Sequence, residues 1–174
     1  MRILNIIANF DLAFSIFFSK KYSSLVPIAK IISHTGNGPF YVFIALIASL
    51  ISNNGEKFVI IGLASFAIEL PIYWLTKNTF RRQRPSDSSS LIHSHITPPD
   101  KYSLPSGHAA AAFVMSTLIG YFHPSLLILS LCWATAIAIS RVLLGVHFLT
   151  DIVLGAALGV ASTNLIIKLN PFVA

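Results

Sequence analysis

Three short strings in this 174-residue chain stand out for residue types that could do chemistry together. The first runs Lys77-Asn78-Thr79-Phe80-Arg81-Arg82-Gln83-Arg84-Pro85, the second is Pro105-Ser106-Gly107-His108, and the third runs from Ser140-Arg141 through His147 to Asp151. Lys77, Arg84 and Arg141 are cations, and Ser106 and Gly107 stand where a helix begins. Cations and the free N–H groups of a helix start suit a phosphate, because both stabilise its oxygens and the charge that develops in phosphoryl transfer. His147 and Asp151 lie four residues apart, a spacing that on a helix puts both on one face within side-chain reach. A carboxylate so placed holds an imidazole in one tautomer and leaves its opposite nitrogen free to attack phosphorus. His108, from another element, is then available to protonate the leaving oxygen.

The elements that position these groups have to be membrane helices. The chain is 55% hydrophobic and only 10% charged, with a mean hydropathy of +0.75. A soluble domain carries about a quarter charged residues, so this composition argues against an ordinary globular enzyme, a disordered tail or a coiled coil. Uncharged or nearly uncharged runs over 39–52, 58–76, 106–121, 124–143 and 148–167 read as five spans. Residues 1–19 are apolar but interrupted by Asn5, Asn9 and Asp11 and closed by Lys20-Lys21, so this stretch either makes a sixth span or lies at the interface. The expectation is all-α: an integral-membrane helical bundle of five to six transmembrane helices forming one membrane-embedded domain over 1–174. Chain direction then brings the three strings to the same membrane face. Gly155 and Gly159 are spaced for close helix packing.

Other features carry less. The single Cys132 excludes an internal disulfide. His93 and His95 have no third metal ligand nearby in the chain, so a solvated loop is the simpler reading. Glu69, the one charge within its span, suits a structural role paired with a cation or polar neighbour. The net charge is +6, and five of the twelve Lys and Arg residues, Lys77, Arg81, Arg82, Arg84 and Lys101, fall in one connection. No soluble domain or aromatic platform accompanies it, so nucleic acid is the weakest of the partners that charge could attract.

The three strings resemble the signature of the type 2 phosphatidic acid phosphatase family of integral-membrane lipid phosphatases, written K-x6-R-P, P-S-G-H and S-R-x5-H-x3-D. Every defining position matches, in the same order, across Lys77 to Asp151. The resemblance implies His147 as a nucleophile forming a phosphohistidine, Asp151 as its partner and His108 as general acid. It implies phosphate binding by Lys77, Arg84, Ser106, Gly107 and Arg141, an additional first-motif arginine at Arg82, and no metal or other cofactor. Arg81 has no counterpart in the signature.

The function so implied is metal-independent removal of a terminal phosphate from a lipid phosphate or diphosphate held in the bilayer. Undecaprenyl diphosphate comes first as substrate because short family members often have that role; phosphatidylglycerophosphate, phosphatidic acid and lipid A phosphates are the alternatives. A non-catalytic anion channel or transporter would explain the three cations but not the His147/Asp151 pair or His108. The positive-inside rule would put the site in the cytoplasm, since Lys77, Arg81, Arg82, Arg84 and Lys101 face Lys57 and Lys168 across the membrane. The family resemblance implies an inner-membrane, multi-pass protein with the site on the extracytoplasmic side.

Overall fold

Each break between helices falls where the chain supplies a proline, a glycine or a run of turn-forming residues. The computed structural model describes residues 2–169; Met1 and 170–174, the ends of the domain expected over 1–174, lie outside the described residues. Helix α1 covers Arg2–Lys21, α2 Val26–His34, α3 Gly38–Ile51 and α4 Gly55–Phe80. A single turn, α5, covers Pro85–Ser88, followed by α6 at Gly107–Phe122, α7 at Leu127–Leu143 and α8 at Leu149–Leu169. Prolines open α2, α3 and α5, where the missing N–H would have no helical partner in any case. No strand occurs among the described residues.

The chain is an all-helical membrane bundle. Among the described residues, three helical stretches are long and apolar enough to cross a membrane: Gly55–Ser88, Pro124–Leu143 and Leu149–Leu169. Ser23–His34 and Gly38–Ile51 together make a fourth if this pair, bent by 50°, counts as one span. Helix α6 has 16 residues, about 24 Å at 1.5 Å per residue, short of a hydrocarbon core of about 30 Å. The five expected runs thus become three full-length helices, part of a bent pair and one short helix. An uncharged run shows that a stretch tolerates lipid, but turns at Gly36-Asn37 and His123-Pro124 decide where the helices end.

Helix α6 is the centre of the bundle, packed against α4, α7 and α8. Ala109, Ala110, Ala112, Val114, Met115 and Leu118 are all buried, as expected for a helix that is small or apolar on most sides. Helix α8 lies unusually close to it. A Cβ on Gly155 would stand 2.4 Å from the Ser106 carbonyl oxygen, and one on Gly159 2.2 Å from that of Ala110. The small-residue spacing therefore sets the approach of the two backbones. At the top of this contact the Ser106 N–H donates to the Asp151 carbonyl at 3.0 Å, joining the second and third strings.

Helix α4 turns Phe58, Ile61, Ser65, Glu69 and Lys77 inward and leaves Ile60, Leu63, Leu70, Trp74 and Leu75 exposed, an apolar face suited to acyl chains. Glu69 is buried, and the polar neighbours within its electrostatic reach are Tyr41 and Tyr73. Helix α1 packs on α7 and α8. Its Asp11 and Ser15 are buried while Ile6, Phe10 and Phe17 are exposed; Asp11, read above as a break in hydrophobicity, faces the protein.

Gly159→Leu tests the packing. The atoms it would meet are backbone and cannot rotate away, so overpacking should lower the thermal unfolding midpoint in detergent by roughly 5–10 °C. An unchanged midpoint would contradict the close approach.

Candidate active site

The site begins where α4 ends. Lys77 lies in its last turn, and Arg81 closes the helix in the left-handed region at φ 47°, its N–H donating to the Lys77 carbonyl at 3.1 Å. That residue reverses the chain and sends Arg82 and Arg84 beneath the end of the bundle. Arg81 itself is exposed and its Nε donates to the Asn78 carbonyl at 2.9 Å, outside the site.

Lys77 and Arg84, both buried, converge on one carboxylate. Lys77 Nζ stands 2.7 Å from Asp100 Oδ2, the Tyr73 hydroxyl donates to the same oxygen at 2.6 Å, and Arg84 Nη2 pairs with Asp100 Oδ1. Burial works to raise the Asp100 carboxyl, but the hydrogen bonds from Lys77 and Tyr73 outweigh it and hold the group below its ordinary range. Arg84 Nη1 also donates to the Val146 carbonyl at 2.6 Å, fixing the first string to the turn that carries the third. Tyr73 reaches the second string as well, since a Cβ on Gly107 would stand 3.0 Å from its ring.

His147 sits in the turn between α7 and α8, not on α8 itself. Its Nδ1 is 3.7 Å from Asp151 Oδ2, longer than a hydrogen bond, as catalytic pairs without substrate often are. Asp151, in the first turn of α8, is held on both oxygens: Oδ2 accepts from the Phe148 N–H at 2.8 Å and Oδ1 from Arg82 Nη1 at 2.7 Å. Arg82 Nη2 in turn reaches Asp11 Oδ2 at 2.6 Å, and its guanidinium lies 4.1 Å from the Phe148 ring centroid. Asp11 also accepts from Thr150, through the backbone N–H at 3.2 Å and through the hydroxyl. Burial depresses the His147 imidazole to about 4; Asp151 opposes this, while the charges of Arg141 and Arg84 add to it. The ring is therefore neutral near pH 7, the form a nucleophile needs.

His108 Nε2 lies 2.9 Å from Asn37 Oδ1. An amide oxygen only accepts, so His108 Nε2 carries a proton and donates. Arg141 Nη1 donates to the Ser33 hydroxyl, and its buried Nε has no partner. Both residues line a cavity of about 280 Å³ shared with Lys30, Ser33, Asn37 and Thr97. Ser106 caps α6, its hydroxyl accepting from the Ala109 N–H at 3.4 Å, so Gly107 opens the helix as expected.

All eight residues singled out in the three strings, together with Arg82, thus gather at one end of the bundle. Sequence reasoning missed Asp11, Ser33, Asn37, Tyr73 and Asp100. Tyr73, one turn before Lys77, and Asp11, a lone carboxylate in an apolar segment, left a usable signal. The others left none. His93 and His95 gain no metal site here: no group of three possible metal ligands occurs among the described residues.

The PAP2 superfamily model matches residues 39–173, from the start of α3 onwards. The chain belongs to that superfamily. It is 30% identical over 141 residues to a decaprenylphosphoryl-5-phosphoribose phosphatase of Mycobacterium tuberculosis, covering 78% of this chain and 75% of the relative. Its fold is similar to the crystal structure of a transmembrane PAP2 type phosphatidylglycerolphosphate phosphatase from Bacillus subtilis, with a TM-score of 0.74 at 23% identity over 97% of this chain and 90% of that one. It is also similar to LpxE from Aquifex aeolicus, with a TM-score of 0.80 at 19% identity over 90% and 94% of the two chains. PAP2 lipid phosphatases are hydrolases of lipid phosphates, and this multi-pass membrane protein is an enzyme of that kind.

The titration of His147 is a direct check on the site. Its folded value of about 4 lies below the ordinary 6.5, so this group's contribution to stability is complete above pH 6.5 and is lost as pH falls from there towards 4. Nitrogen NMR of the labelled imidazole in the substrate-free protein should show the neutral ring at pH 6. A ring mostly protonated at pH 6 would contradict the burial described.

Proposed function

We propose that the enzyme removes a terminal phosphate by covalent catalysis at His147. The observation that carries this reading is the neutral, buried imidazole at 3.7 Å from an Asp151 locked by Arg82 and the Phe148 N–H. The His147 nitrogen facing away from Asp151 attacks phosphorus, and the bond from phosphorus to the leaving oxygen breaks. His108, protonated on both ring nitrogens once the dianionic phosphate is bound, gives its Nε2 proton to that oxygen and returns to the neutral ring. Water then attacks the phosphohistidine and passes a proton back to His108; the P–N bond breaks and phosphate leaves. Lys77, Arg84 and Arg141, with the α6 start at Ser106 and Gly107, hold the phosphate oxygens and the charge they gain. Asp151 stabilises the imidazolium that forms, and Arg82 and Asp11 hold Asp151 in place. None of these steps calls on a metal.

As substrate we infer a polyprenyl diphosphate, undecaprenyl diphosphate first, in the inner membrane with the site on the extracytoplasmic side. The leaving group departs on the side of His108, into a cavity whose lining includes Lys30, His34 and Arg141 and no acidic residue. Such a lining favours a leaving group that itself carries negative charge, as a lipid monophosphate does. The mycobacterial relative, named for a decaprenylphosphoryl substrate, also points towards polyprenyl chains. Phosphatidylglycerophosphate and lipid A phosphates have polar leaving groups too, whereas phosphatidic acid releases an uncharged diacylglycerol.

Purified protein assayed for phosphate release on all four lipids should favour the diphosphate by about tenfold or more in kcat/KM over phosphatidic acid, the order of one lost charge-assisted contact. Equal or higher turnover of phosphatidic acid would overturn the substrate assignment while leaving the chemistry intact.

A further inference from the structure

The most heavily engaged carboxylate at the phosphate cations belongs to none of the three strings. Asp100 gathers the Tyr73 hydroxyl at 2.6 Å, the Lys77 ammonium at 2.7 Å and the Arg84 guanidinium. These donors span both carboxylate oxygens, an arrangement that two oxygens of a phosphate would satisfy equally well. Position supports the comparison: the Asp100 side chain is 30% exposed, whereas those of Lys77 and Arg84 are 6% and 3% exposed. The carboxylate therefore lies between the buried cations and the outside. It is carried by the irregular stretch between α5 and α6, and its neighbours Thr97 and Pro99 line the cavity beside His108 and Arg141.

We propose that Asp100 occupies the place of the substrate's terminal phosphate and is displaced by it, which makes Asp100 a specificity-determining residue for dianionic terminal phosphates over phosphodiesters. The proposal rests on the reading of Lys77 and Arg84 as phosphate-binding cations. A membrane enzyme is surrounded by phosphodiester head groups far more abundant than its substrate. A diester carries one negative charge and two unesterified oxygens, the same charge and the same number of acceptors as the carboxylate. Exchanging one for the other gains the cations nothing. A terminal phosphate brings a second charge and a third free oxygen, and that surplus acts on Lys77, Arg84 and Arg141 where water is largely excluded. A carboxylate supplied by the chain thus sets a threshold that only the dianion passes, which is discrimination by built-in competition. Held below the ordinary carboxylate range, Asp100 keeps the competitor charged near neutral pH.

The test uses the full-length protein in mixed micelles, with a lipid phosphomonoester as substrate and two competitors, inorganic phosphate and the diester dihexanoyl phosphatidylglycerol. In the wild type and in Asp100→Glu, inorganic phosphate should compete and the diester should not. In Asp100→Asn, the inhibition constant for phosphate should fall by about tenfold, the order of one charge-assisted contact, and the diester should become a competitive inhibitor. Tyr73→Phe, which removes one of the donors to Asp100, should move both constants the same way by less and serves if the asparagine variant folds poorly. A fall in kcat in Asp100→Asn with both inhibition constants unchanged would overturn the proposal and make Asp100 a residue that only orients Lys77 and Arg84. Turnover that survives Lys77→Ala would instead overturn the phosphate assignment beneath it.

Discussion

Burying positive charge at the end of a membrane bundle is the constraint around which this molecule is arranged. Lys77, Arg84 and Arg141 are each no more than 5% exposed, and Arg82 is only partly exposed. Unpaired, such charges are too costly to keep in a low-dielectric setting. Three carboxylates answer four cations: Asp11 and Asp151 hold Arg82, and Asp100 holds Lys77 and Arg84. Arg141 has only the Ser33 hydroxyl and an unpartnered Nε. The balance leaves one positive charge with Asp100 in place and two without it, which is the charge of a phosphate dianion. The exchange of Asp100 for a phosphate dianion that we propose would therefore leave these paired groups electroneutral.

That balance also explains why distant parts of the chain are recruited. Helix α1 is not among the stretches long and apolar enough to cross a membrane, yet Asp11 ties it to Arg82 and Thr150 at the end that carries the candidate site. The stretch between α5 and α6 is not a free loop: the Ser103 N–H donates to the Arg82 carbonyl at 2.8 Å, and that of His95 to Leu144 at 3.0 Å. Beneath them, the close contact of α6 and α8 gives the histidines and Asp151 a rigid base, so the candidate catalytic groups sit on helix ends and tight turns where their positions are fixed.

The candidate catalytic and phosphate-binding groups that the structure brings together stood out in the sequence because each is a scarce residue type in a scarce setting. Histidine, arginine and aspartate at the ends of apolar runs have few structural uses, and three strings in order leave little room for coincidence. The neutralising partners were not legible. Asp11 is 71 residues from Arg82, Asn37 is 71 from His108 and Ser33 is 108 from Arg141; nothing in local spacing predicts such pairs. Asp100 lay inside a polar stretch where a carboxylate reads as solvated. The helix count was legible only in part, since hydropathy marks what lipid tolerates while turn residues cut α3 to 14 residues and α6 to 16. The His147/Asp151 spacing suggested one helix face, whereas the imidazole sits in the turn and the carboxylate on the helix, still within 3.7 Å.

In the mechanism we propose, the charge arrangement serves one event, the transfer of a phosphoryl group to the imidazole of His147. The most direct measurement is a rapid-quench experiment with substrate labelled in its terminal phosphate, the protein being denatured in base, where phosphohistidine persists, and the label mapped to a residue. The account predicts label on His147 that appears before free phosphate and turns over at the rate of the slower step. Label on any other residue, or turnover at saturating substrate with inversion of configuration at phosphorus and no labelled protein, would contradict it.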